Sequence, residues 1–172
     1  MNPELNCIFS RRSIRQYLDK TVPEEMLNDL LETAMAAPSA VAKDPWHFIV
    51  VQNRETLNTI ADVLPSAKML YQATAAFIVC GDINNANLQA ESYLLQDCSA
   101  AVENILIAAN ILELGTCWLG IHPREDRLAG IRQLFELPDN IIPMCGIAIG
   151  WPAEKPEART RYRKEQVHKE KW

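Results

Sequence analysis

The sequence predicts an α+β fold, and three observations predict it. Four short runs rich in apolar and branched residues, at 47–52 (HFIVVQ), 75–81 (AAFIVCG), 116–120 (TCWLG) and 143–150 (PMCGIAIG), read as strands. Several segments of helical period lie among them without strict strand–helix alternation, which argues against a purely parallel βαβ sheet. The chain has 172 residues, 48% hydrophobic and 23% charged, the size and balance of one domain, 1–172, with its own core.

Residues 2–9 read as a short helix, followed by the basic run Arg11-Arg12-Ser13-Ile14-Arg15. Thr21 and Glu24 have the spacing of a capping box, with Pro23 in the first turn. They open a helix whose apolar face is Met26, Leu27, Leu30, Leu31, Ala34 and Met35 and which Pro38 stops. Residues 54–64 are helical between the first two strands. The longest element, 93–114, is apolar around most of its circumference, with a narrow polar stripe at Gln96, Ser99, Glu103 and Asn110. So apolar a helix needs cover on nearly all sides, more than a chain of this size provides, which points to a partner subunit. Gly115 ends it. Residues 125–135 form an amphipathic helix, and 163–171 a polar helix or an extended arm.

The net charge of −5 excludes wholesale nucleic-acid binding, which needs a dominant positive field. The charge is uneven: residues 154–172 carry seven Lys/Arg against four Glu, a local +3 that leaves −8 on the body. A basic tail on an acidic body suggests an anion site. The five cysteines are far apart, lack metal spacing, and mostly sit in apolar runs, as expected of reduced, buried thiols. The first residues lack the layout of a signal peptide and no apolar run reaches membrane-spanning length, so a cytoplasmic location is expected.

The familiar catalytic signatures are missing: there is no GxGxxG, no GxxxxGK[ST] and no GxSxG, and the three histidines are scattered. With no nucleophile and no metal set, chemistry carried by a bound cofactor leads. Four features could hold one. Arg11, Arg12, Ser13 and Arg15 offer three guanidiniums and a hydroxyl within five residues, a fit to phosphate; a solvated basic loop explains them equally well. Ala36-Ala37-Pro38-Ser39-Ala40 would let backbone approach a flat ligand, or is an ordinary helix stop. The segment from Gln96 to Gly120 combines small residues for close packing with a glycine at a strand end, and core packing explains it too. Arg159, Arg161, Arg163 and Lys164 form a late charge run that solvent alone could accommodate.

In order and spacing together, RRSIRQY, APSA…DPWHFIVV, QDCSAAVENILIAANILELGTCWLG, IAIGWPAE and the closing R-x-R…VHKEKW resemble the nitroreductase family of FMN-dependent oxidoreductases, from Arg11 to Trp172. The resemblance implies a mixed sheet surrounded by helices and a homodimer whose tails swap across a large interface that holds two FMN molecules. It places Arg11, Arg12 and Ser13 at the FMN phosphate and ribityl chain. Arg15 falls near the pyrimidine edge, where it would stabilise negative charge on the reduced ring. Pro38, Ser39 and Ala40 match the segment that reaches the flavin from the other subunit, and Leu119 and Gly120 the strand end whose backbone faces N5. Arg161, with Arg159 or Arg163, matches the late basic residue that closes on the phosphate.

Two departures stand out. The family's PSxxNxQPW pattern runs here as Pro38-Ser39-Ala40-Val41-Ala42-Lys43-Asp44-Pro45-Trp46, so Ala42 and Asp44 replace the amides. An Asp near the flavin would disfavour anionic acceptors, and nitroaromatic reduction is put in question. The chain is also short for the family, which implies an open site. The implied activity moves two electrons from NAD(P)H through FMN to a nitroaromatic or quinone-like acceptor by a ping-pong route, with no side chain acting as acid or base. The alternatives are a flavin-binding sensor or carrier without turnover, and a member of the fold that remodels its own flavin.

Overall fold

The structure is a computed structural model and describes residues 2–172. Its elements run α1 (Asn6–Ser10), α2 (Glu24–Met35), β1 (Trp46–Val51), α3 (Arg54–Val63), β2 (Ala75–Asp82), α4 (Glu91–Ile111), β3 (Gly115–Gly120), α5 (Glu125–Phe135) and β4 (Ile141–Gly150). The strands form one sheet in the order β1-β2-β4-β3, antiparallel at every strand pair. The parallel component of the expected mixed sheet is confined to an isolated bridge between Ser13 and Thr116.

Strand alternation sorts the core into two layers. Ala75, Phe77, Val79, Cys145, Ile147 and Ile149 face α2 and α4, where they meet Leu27, Leu30, Leu94, Cys98, Val102 and Ile105. Ala76, Ile78, Cys80, Cys117, Leu119 and Ala148 face the other way, onto Leu57, Ile60 and Ala61 of α3 and Ile131 of α5. The central strand β2 is buried at all eight positions, which is why it reads as an unbroken apolar run and not as alternation.

Three local expectations change. The helix after Thr21 begins at Glu24, with Pro23 still extended (ψ 144°) in the cap position. Thr21 therefore makes no capping box, and its carbonyl instead accepts from the Trp151 indole at 3.2 Å. The helix expected over 2–9 is a short 3-10 turn at Pro3–Leu5 followed by α1. Gly115 does not terminate α4. The chain reverses at Glu113 in the left-handed region (φ 59°), and Gly115 is already the first residue of β3. A Cβ on Gly115 would stand 2.8 Å from the Ile14 side chain, so this glycine makes room for the arginine-bearing segment.

One face of α4, with Leu94, Asp97, Cys98, Ala101, Val102, Ile105, Leu106 and Ala109, is buried within the chain. The opposite face is exposed at Gln96, Ser99 and Glu103 and ends at Ile111, 62% exposed. Residues 157–172 are exposed throughout and irregular except for a 3-10 turn at Lys164–Gln166, with a bend at Lys169–Glu170. The tail is thus an arm and not a helix. No helix among the described residues is long and apolar enough to cross a membrane.

Candidate functional site

The segment 11–15 is held against β3 by backbone and core contacts, so its side chains start from fixed positions. Ile14 donates its N–H to the Thr116 carbonyl at 2.8 Å, and its side chain is buried in the second core layer. The Tyr17 hydroxyl, buried and with its pKa pushed up by desolvation, donates to the Ile14 carbonyl at 2.7 Å. Glu154, just after β4, accepts the N–H groups of Arg15 (2.5 Å) and Gln16 (3.1 Å). With both ends of the segment pinned, Arg11, Arg12, Ser13 and Arg15 line one cavity of about 500 Å³.

That cavity is closed on its far side by the start of the tail, and its remaining wall includes Arg159 and Arg161. Five guanidiniums against Glu154 and Glu157 leave it strongly positive, and Glu154 already serves backbone N–H groups. Burial, with the charges of Arg159, Arg11 and Arg161, pushes the Arg12 guanidinium below its ordinary value. Like charges gathered this closely are relieved by an anion with several acceptor oxygens. Two further cavities, of about 770 and 430 Å³, open beside it and share Arg11 and Arg12. The larger adds the apolar side chains of Ile14, Leu18 and Leu114. Arg163 lines none of the three.

The sequence-derived residues fall into groups. Arg11, Arg12, Ser13, Arg15 and Arg161 all line the positive cavity; Arg11 also pairs with Glu103 at 3.6 Å. Pro38, Ser39 and Ala40 lie elsewhere. Ala40 donates its N–H to Asp97 Oδ1 at 2.8 Å, whereas the N-terminal segment meets α4 at Glu103 and Asn110. Those positions lie about 9 and 20 Å farther along the helix axis. The Leu119 side chain is buried in the core and offers only backbone to a ligand. The Gly120 carbonyl accepts from Arg127 Nη1 at 2.6 Å.

The 39–44 loop is unusual backbone: Val41, Ala42 and Asp44 all have positive φ, between 47° and 56°. The Ser39 hydroxyl and Asp44 hold it shut, with Ser39 Oγ 2.5 Å from Asp44 Oδ1 and accepting the Asp44 N–H at 2.9 Å. Ser39 therefore spends its hydroxyl inside its own loop. Two site residues escaped sequence reasoning. Glu154 closes the IAIGWPAE stretch, but nothing in that spacing marks its carboxylate as the acceptor for the arginine segment. Asp97, however, sits on the buried face of α4, three residues from Leu94 and four from Ala101. A carboxylate at a core position is a sequence-level sign of a specific polar partner. Among the described residues no three His, Cys, Asp or Glu side chains group as a metal site.

Comparison with known proteins gives this arrangement its relatives. The Nitroreductase family model matches residues 8–68 and 61–151. A protein of Methanothermobacter thermautotrophicus, provisionally named an NADH dehydrogenase/NAD(P)H nitroreductase, is 47% identical over 168 residues, covering 98% of this chain and 87% of its own. A solved structure from Bacteroides thetaiotaomicron carrying the same provisional name superposes with a TM-score of 0.93 at 41% identity, over 100% of this chain and 99% of that one. A Desulfovibrio desulfuricans structure, provisionally a nitroreductase and solved in complex with FMN, gives 0.85 at 28% identity, over 100% and 99%.

Proposed function

The chain belongs to the nitroreductase family, and from that premise we propose that it is an FMN-dependent oxidoreductase that moves two electrons from NAD(P)H to a small organic acceptor. The observation that carries this reading is the positive cavity built by Arg11, Ser13, Arg15, Arg159 and Arg161. It has one phosphate's worth of converging guanidiniums and volume to spare for a polyol chain. The fit is chemical as well as spatial: arginines donate in fixed forks and stay charged, which suits a phosphate dianion.

When bound, FMN supplies the redox chemistry, and the protein supplies binding, orientation and electrostatics. Arg11, Ser13 and Arg161 hold the phosphate end. Arg15 places a positive charge where negative charge accumulates on the reduced ring. Pro38, Ser39 and Ala40, held on Asp97 about 9–20 Å along α4 from the arginines, serve the site of a second subunit. This separation, the arm of residues 157–172 and the exposed Ile111 end of α4 support a homodimer with two shared sites. Leu119 and Gly120 contribute main chain only. All five cysteines are free, which suits a cytoplasmic setting.

The experiment is steady-state oxidation of NADH and of NADPH with a quinone and with a nitroaromatic as acceptors. The sequence offers no second glycine-rich turn or phosphate loop for the nicotinamide donor, so in this reading donor and acceptor take the same place in turn. Parallel double-reciprocal lines are expected. Intersecting lines would require a second site, and absence of turnover with every acceptor would leave a flavin-binding module.

A further inference from the structure

Arg12 lies within the arginine cluster but is turned away from the space it lines. Its Nε donates to the Glu157 carbonyl at 2.8 Å and its Nη1 to the Arg11 carbonyl at 2.6 Å. Its Nη2 donates to Phe9 O at 2.6 Å and to Arg159 O at 2.7 Å. A guanidinium has five N–H donors in a planar fork, and phosphate recognition by arginine uses an edge with two parallel free donors. Four of the five are taken, every nitrogen is engaged, and no edge keeps two free. The acceptors come from three stretches of chain: the end of α1, the 11–15 segment and the start of the tail.

From this geometry we infer that Arg12 is a positioning residue, a clasp that fastens the tail to the N-terminal segment and so holds Arg159 and Arg161 over the anion site, without itself contacting the anion. The inference rests on the phosphate reading given above. From residue 157 onward, the two bonds from Arg12 to Glu157 O and Arg159 O are the hydrogen bonds that join the exposed tail to the body among the described residues. Arg159 and Arg161 would otherwise be pushed apart from Arg11 by like charge. A clasp made of carbonyl contacts to three segments needs the guanidinium fork; lysine, with a single nitrogen, cannot reproduce it.

The test is a double-mutant cycle on affinity for FMN and for riboflavin, measured by flavin fluorescence quenching on the full-length apoprotein, with thermal midpoints for every variant. Arg12→Ala and Arg161→Ala should each weaken FMN by roughly 10- to 100-fold, the size of a lost charged hydrogen bond, with riboflavin nearly unchanged. The double variant should be no weaker than Arg12→Ala alone, since a released tail no longer presents Arg161 to the site. Arg12→Lys should behave as Arg12→Ala. Losses that multiply in the double variant, or rescue by Arg12→Lys, would show direct phosphate contact and overturn the clasp. Equal losses for FMN and riboflavin with a lowered midpoint would make Arg12 a general fold residue and overturn it too. If the unmutated protein binds FMN and riboflavin alike, the phosphate reading itself fails.

Discussion

The backbone N–H of Ala40 lies 2.8 Å from Oδ1 of Asp97, a carboxylate 4% exposed whose other oxygen has no hydrogen-bond partner within the chain. This contact fastens a loop with three left-handed residues to the central helix. Such backbone is maintained only where surrounding contacts over-determine it. Asp97→Ala should therefore cost about 1–2 kcal/mol of stability, from the lost hydrogen bond and a part-buried donor left unpaired. Asp97→Asn keeps an acceptor for Ala40 and should lose about 1 kcal/mol or less. Chemical denaturation of the two variants checks the difference. Equal losses would mean that the charge, and not the hydrogen bond, matters.

Gly115→Ala should disturb the arginine segment from a distance. The new methyl would stand 2.8 and 2.9 Å from Ile14 Cγ2 and Cβ, closer than such contacts allow. Ile14 must move, and with it the backbone bond to Thr116 that registers the neighbouring Arg11 to Arg15. A loss of about 1–3 kcal/mol is expected from overpacking, with weaker FMN binding in titration. A fully stable variant with unchanged FMN affinity would show that the segment is not anchored there.

The buried thiols set an alkaline limit. Desolvation pushes Cys80 up to about 12, and desolvation with the charges of Asp97 and Cys80 pushes Cys98 up to about 12. In the unfolded chain these thiols ionise near their ordinary value of 9. Above that pH the unfolded state has lost protons that the folded state retains, so stability falls as pH rises. Each thiol contributes up to about 1.4 kcal/mol per pH unit through the window from 9 to 12. Denaturation midpoints measured across it should drop, and Cys80→Ala with Cys98→Ala should flatten the slope.

Assembly is a separate prediction. The outer face of α4, the arm of residues 157–172 and the separation of Pro38–Ala40 from the arginine cavity support the proposed homodimer, in which a second chain completes each site. The interface should be well above standard size. Light scattering should give a dimer down to low micromolar concentration, and a flavin-loaded monomer there would contradict it.

Much of this was legible in the sequence, for reasons specific residues make plain. The strands announced themselves because Phe77, Ile78 and Val79 are buried on both faces of the sheet, so nothing polar interrupts them. The clustering of the arginine run was legible because charge density needs no fold to be noticed. The role of each arginine was not: spacing cannot distinguish a guanidinium that faces a cavity from one, such as Arg12, that turns back onto carbonyls of its own chain. The Thr21–Glu24 pair matched a cap by spacing, yet the backbone stays extended through Pro23, two residues too far. Gly115 matched a helix stop because glycine favours that position, whereas here Glu113 takes the left-handed turn and the glycine serves packing. Ser39 looked free to meet a ligand until the loop folded its hydroxyl onto Asp44.

The central claim is that one FMN per chain is held by its phosphate, and the most direct test is to heat-denature the purified protein and identify what is released. The protein should purify yellow, and the supernatant should contain FMN and not FAD, because the arginines that converge on the cavity match one phosphate. A colourless protein that also fails to take up added FMN would contradict the account.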